Sequence, residues 1–220
     1  MNARSLDWAV TRVPSVLIKA TMALTGLLMA GWLTLHMVGN LLIFGGADLF
    51  NAYAARLRET GLLWPMRAVL LSALSVHALS AAATSLRAWA ARPVRYHAPL
   101  RAAASTLGSR TMRAGGALLL GFLVYHVATL YGAGHPSYVA GDVYSNLVAL
   151  LRKPAHAALY ACATGLVTLH LAHGLRSSLQ SLGWTFGKRE AFVRRALQIW
   201  TGLVTLGFVV PIVATIMGWV

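Results

Sequence analysis

Acidic residues are nearly missing from this 220-residue chain, with five Asp and Glu set against nineteen Lys and Arg. Only 11% of residues are charged and 58% are hydrophobic, too little polar surface to coat a water-soluble globule of this length. There is one cysteine, Cys162, inside an apolar run. It excludes an internal disulfide, an iron–sulfur cluster held by the chain and the covalent attachment of a c-type haem. No dinucleotide-binding glycine fingerprint occurs, so flavin or nicotinamide binding by a recognisable motif is excluded as well. A net charge of +14 in a soluble protein would suggest nucleic acid; here the basic residues fall in the gaps between apolar runs, the pattern of a membrane protein. With no internal repeat and no low-complexity linker, residues 1–220 read as a single integral membrane domain.

Five uncharged runs are present: 20–47, 68–86, 114–141, 154–175 and 196–220. Each is long enough for the roughly 20 residues a bilayer demands. They predict an all-α membrane protein with transmembrane helices over about 17–44, 65–90, 113–131, 155–182 and 196–219. The basic N-terminus raises the question of a signal peptide, but the first run is longer than a signal core and lacks a small-residue cleavage site close behind it, so a retained helix is expected. If the N-terminus is cytoplasmic, fourteen basic residues lie inside and five outside. That bias predicts a multi-pass protein of the cell inner (cytoplasmic) membrane with its C-terminus outside. Most tryptophans fall where interfacial anchors belong, whereas Trp32 is too deep for that role. The outer segment 45–64 is long enough for a short amphipathic helix with Leu49, Tyr53 and Leu57 on one side.

Four of the runs carry an imidazole, at His36, His77, His126 and His170. A polar side chain inside a membrane helix is expensive unless it serves a purpose. At about 1.5 Å per helical residue, His77 and His170 lie near the inner boundary and His36 and His126 farther out. Each level thus joins two different helices, as a bis-histidine b-type haem requires, and two haem b groups are expected about 10 Å apart in depth within a four-helix bundle. A single buried histidine is more often a hydrogen-bonding or proton-handling group; four matched in pairs favour ligation. A small residue follows each: Gly39, Ala81, Thr129 and Gly174. His173 competes with His170 for the inner iron, though its closeness to Arg176 favours a polar partner. His97, His135 and His156 read as solvated, and no cluster suits zinc.

The stretches HMVGNLLIF around His36, FNAYAARL from Phe50, ARPVRY at 91–96, STLGSRTM at 105–112, FLVYH ending at His126 and His170-x-x-x-Gly174 running to Trp184 resemble, in order, the five-helix, di-haem cytochrome b membrane anchor of succinate:quinone oxidoreductases and fumarate reductases. The resemblance spans most of residues 30–185 and selects His170 over His173. It implies a flavoprotein subunit with FAD and an iron–sulfur subunit docked on the basic inner loop, so the dicarboxylate active site lies outside this chain. Arg92, Arg110 and Arg113, with Ser109 and Tyr96 as secondary candidates, lie at the depth of the inner haem and suit its propionates. Ordinary positive-inside charge explains any one of them equally well. The implied function is succinate dehydrogenase electron transport, from the iron–sulfur subunit through two haems to quinone, with menaquinone the expected substrate. Of the outer carboxylates Asp48, Glu59 and Asp142, Glu59 is the candidate for a quinone-linked proton carrier. Two alternatives remain: the di-haem anchor of a hydrogenase or formate dehydrogenase, and a haem-free membrane anchor.

Overall fold

The computed structural model describes residues 13–91, 107–134, 136–184 and 186–220. Among them the regular structure is entirely helical: α1 (Ser15–Leu41), α2 (Gly46–Glu59), α3 (Leu63–Ala90), α4 (Leu107–Leu130), α5 (Val143–Leu151), α6 (Pro154–Ser181) and α7 (Glu190–Ile216), with short 3-10 turns before α2 and α7. Five of these, α1, α3, α4, α6 and α7, are long and apolar enough to cross a membrane.

Their side chains are sorted by size rather than by polarity. Leu35, Leu71, Leu79, Val124 and Leu203 are exposed, while many positions at the helix contacts are small: Ala23, Ala30, Ala73, Ala157, Ala163 and Gly207. Lipid tails are as apolar as leucine, so membrane helices associate where small residues let backbones approach. Gly207 shows this directly, since the Met37 thioether occupies the place a Cβ would take. Thr168 and Thr205 are hydrogen-bonded across α6 and α7 at 2.7 Å. Pro211 is buried within α7, and the Thr215 hydroxyl donates to its carbonyl at 2.8 Å.

The centre of the bundle is α1 against α6. α3 packs along α1, α4 packs along α6, and α7 lies against both central helices. α1 is not packed lengthwise on α4, nor α3 on α6. These two diagonals leave room between backbones, and they join the helices that carry the histidines.

At the end of the bundle away from the arginine-rich termini of α3 and α6, α2 and α5 form a cap. Ile43, Phe50 and Val148 make its apolar centre. Asn51 donates to the Asp142 carboxylate at 3.0 Å and accepts from the Tyr144 N–H at 3.0 Å. Asp142 also caps α5 by accepting from the Ser145 N–H. Asn146 is buried and closes the preceding loop through both the N–H and the C=O of Val139.

Three features differ from the sequence reading. α4 and α7 begin at Leu107 and Glu190, each six residues before the expected starts at 113 and 196, and run through the arginines that end the uncharged runs. Arginine is a good helix former whose long stem carries its charge to water, so a helix runs through it. The face of α2 that turns inward carries Phe50, whereas Leu49 and Tyr53 are exposed. α5 was not expected at all; its signal was Asp142 ahead of an apolar stretch, an N-cap pattern.

Asn51→Ala removes both bonds of the clamp and is expected to cost about 1–3 kcal/mol, read as a lower melting temperature of the detergent-solubilised protein. The Ser145 N–H and the Asn51 amide hold the Asp142 carboxyl below its usual value. A depressed carboxylate contributes fully above its unfolded pKa of about 4 and loses that contribution as pH falls through the folded value. The clamp should therefore weaken only below about pH 4. Asp142→Asn should abolish that acid-side loss; a melting curve whose pH response is unchanged in the variant would remove Asp142 as its cause.

Candidate functional site: two opposed histidine pairs

His36 on α1 and His126 on α4 face each other with ring centroids 6.0 Å apart and planes at 78°. His77 on α3 and His170 on α6 do the same at 6.2 Å and 62°. Each pair spans one of the open diagonals. It is His170, not His173, that opposes His77.

The separation of the two levels follows from three helices. Gly26 lies beside the His77 ring, ten residues before His36 on α1. Gly116 lies beside His170, ten residues before His126 on α4. Tyr160 touches His126 and stands ten residues before His170 on α6. Ten residues of helix are about 15 Å, so the levels are farther apart than the 10 Å read from distances to flanking charges.

Surroundings differ between levels. At the His36 level the rings are walled by aromatics: Trp32 stacks on His36 at 5.0 Å, Phe208 lies 5.9 Å from it, and Phe122 stacks on His126 at 5.8 Å. The depth of Trp32, anomalous for an interfacial anchor, has this physical cause. The Tyr160 hydroxyl is 3.0 Å from Nδ1 of His126, and the Asn40 amide is 3.4 Å from Nε2 of His36. Next to them the Tyr125 hydroxyl is hydrogen-bonded to Nδ1 of His156, and their rings are stacked. His156 is thus half-buried and partnered rather than solvated.

At the other level the small residues are Gly26 and Gly116. A Cβ on Gly26 would sit 3.1 Å from Cε1 of His77. Nδ1 of His77 is 3.0 Å from the Met22 carbonyl and 3.4 Å from the Thr25 hydroxyl. A carbonyl only accepts, so this nitrogen carries the proton and Nε2 keeps its lone pair free. Nδ1 of His170 is buried with no hydrogen-bond partner among the described residues. Three of the small residues that follow the histidines meet other contacts. Gly39 receives Tyr53, Gly174 faces Met112, and the Thr129 hydroxyl bonds the carbonyls of Tyr125 and His126.

Two nitrogens per level is a specific donor set. No group of three or more His, Cys, Asp or Glu able to hold a metal occurs among the described residues. Zinc wants three or four protein ligands. An iron tetrapyrrole brings four nitrogens of its own and needs only two axial ligands. Metal–imidazole bonds of about 2 Å on both sides of one iron set the ring centres about 6 Å apart, the spacing of both pairs. The residues present fit such a group at each level.

The model of the succinate dehydrogenase/fumarate reductase transmembrane subunit family matches residues 90–210. The chain belongs to that family. It is accordingly a multi-pass membrane subunit of a succinate dehydrogenase or fumarate reductase. No curated protein and no solved structure matches it. The matched stretch carries His126 and His170, while His36 and His77 lie before it.

Of the other residues considered from the sequence, Arg113 lies exposed over the Trp89 ring at 5.6 Å, Arg110 is exposed and Ser109 half-buried in the opening turn of α4. Arg92, Tyr96, His97 and His135 lie outside the described residues. Glu59 ends α2 on the surface, 3.7 Å from Arg56. Arg176 and Glu190 are ion-paired at 2.9 Å between α6 and α7, which fixes the arginine-rich end.

The Met22 contact predicts one tautomer. Nitrogen NMR of the histidine-labelled protein prepared without haem should give His77 as the Nδ1-protonated form; an Nε2-protonated ring would mean that the Met22 carbonyl does not orient it.

Proposed function

We propose that this succinate dehydrogenase/fumarate reductase subunit is a di-haem cytochrome b anchor, with His77 and His170 holding one haem b and His36 and His126 the other. The observation that carries the reading is the pair of opposed imidazoles at each of two levels, with spacing and donor number suited to axial ligation and to little else. When bound, the haem irons supply reversible one-electron carriage between an iron–sulfur subunit at the arginine-rich end and a membrane quinone.

The chain's own residues do the rest. The Met22 carbonyl fixes the His77 tautomer, so that Nε2 presents its lone pair to the diagonal, and such an outer partner also raises ligand basicity. Tyr160 orients His126 in the same way. Gly26 and Gly116 keep side chains away from the His77 and His170 rings. The aromatic wall of Trp32, Phe122 and Phe208 excludes water from the His36 level, and a dry, low-dielectric site lets nearby charge set redox potential. Arg110 and Arg113, with Ser109 and with Arg92 and Tyr96 from the adjoining loop, are the proposed propionate partners at the His77 level. That same basic end, placed in the cytoplasm by the charge bias, is the proposed dock for the iron–sulfur and flavoprotein subunits. Menaquinone is the proposed quinone, and it rests on the family resemblance alone. As a proton carrier for it, Glu59 has the ion pair and exposure of a solvated surface charge.

Pyridine haemochrome quantitation tests the assignment. The intact protein should hold two haems per chain, His36→Ala or His126→Ala should each lose one, His77→Ala or His170→Ala should each lose the other, and His173→Ala should keep both. Loss of a haem in the His173 variant with retention in the His170 variant would transfer the ligand role to His173.

A further inference from the structure

Arg67 stands near the start of α3 with its guanidinium carbon 5.2 Å from the Trp64 ring centre and 5.6 Å from that of Tyr131, which follows α4. It bridges two helices that do not pack along each other. The side chain is half-buried, and no carboxylate lies within ion-pair distance among the described residues. Three of the chain's five acids are engaged elsewhere: Asp142 with Asn51 and Ser145, Glu59 with Arg56, and Glu190 with Arg176 at the opposite end. Aromatic rings satisfy the faces of a guanidinium but not its in-plane N–H donors, whose fork matches a carboxylate or a phosphate. Tyr131 lies five residues beyond His126, about 7.5 Å along the helix.

We propose that Arg67, held between Trp64 and Tyr131, anchors a carboxylate of the tetrapyrrole bound at the His36–His126 level. This rests on the di-haem reading above. The competing source of the same anionic oxygens is a lipid phosphate at the membrane boundary. A cation beside a haem carboxylate opposes the added positive charge of the oxidised iron, so removing it stabilises the oxidised form and lowers that haem's midpoint potential.

Optical redox titration of the purified, haem-loaded complex decides the matter, with haem and phospholipid phosphate quantified in parallel. Arg67→Gln should lower one of the two midpoint potentials, that of the haem missing from His126→Ala, and leave the other in place. Arg67→Lys keeps the charge and should shift the same potential less; it carries the test if the Gln variant does not assemble. Two unchanged potentials in both variants overturn the proposal, and a fall in bound phospholipid phosphate alongside them assigns Arg67 to lipid. If instead His36→Ala and His126→Ala keep both haems, the di-haem reading fails first and this proposal with it.

Discussion

An imidazole nitrogen in the apolar interior of a membrane must have a partner, because no water is there to supply one. Four helices of this protein each aim an imidazole at another helix, and the bundle is arranged around the consequence. The pairs meet on the two diagonals where backbones stay apart, so the histidines face each other across space rather than across a tight helix contact. Tight contacts are left to α1 with α3, α1 with α6, α4 with α6 and α6 with α7, where alanine and glycine let the helices close.

The partners of the imidazoles distinguish the levels. His77 is tied to the Met22 carbonyl and flanked by Gly26, and His170 is flanked by Gly116. His36 and His126 are set among Trp32, Phe122, Tyr160 and Phe208. The first environment is polar and small, the second aromatic and bulky. Haems held in the two would differ in potential through hydrogen bonding, burial and nearby charge, the levers a protein has over iron. In the cap of α2 and α5, Asp142 is committed to Asn51 and Ser145.

α7 has no histidine, yet it is seated against both central helices. Its contact at Gly207 receives Met37, one residue past His36, so the last helix holds the first in register. The Thr168–Thr205 hydrogen bond does the same for α6, two residues before His170. A fifth helix thereby fixes the rotation of two histidine-bearing ones, which is a structural reason for its presence in a bundle whose diagonals need only four.

The sequence by itself determined the membrane class, the five apolar helices and the histidines worth attention, because hydrophobic run length and the cost of a buried imidazole are local quantities. Depth counted along single helices also sorted His36 with His126 and His77 with His170, since rise per residue is fixed. What it could not supply was anything that depends on helix rotation. Which small residues stand beside the rings, the bond between Tyr125 and His156, the inward turn of Phe50 and the position of Arg67 between Trp64 and Tyr131 all require knowing how one helix faces another. In an apolar solvent, with hydrophobic residues on every side of each helix, no sequence stripe marks the inner face. Small-residue packing sets that rotation, and it exists only once the helices have met.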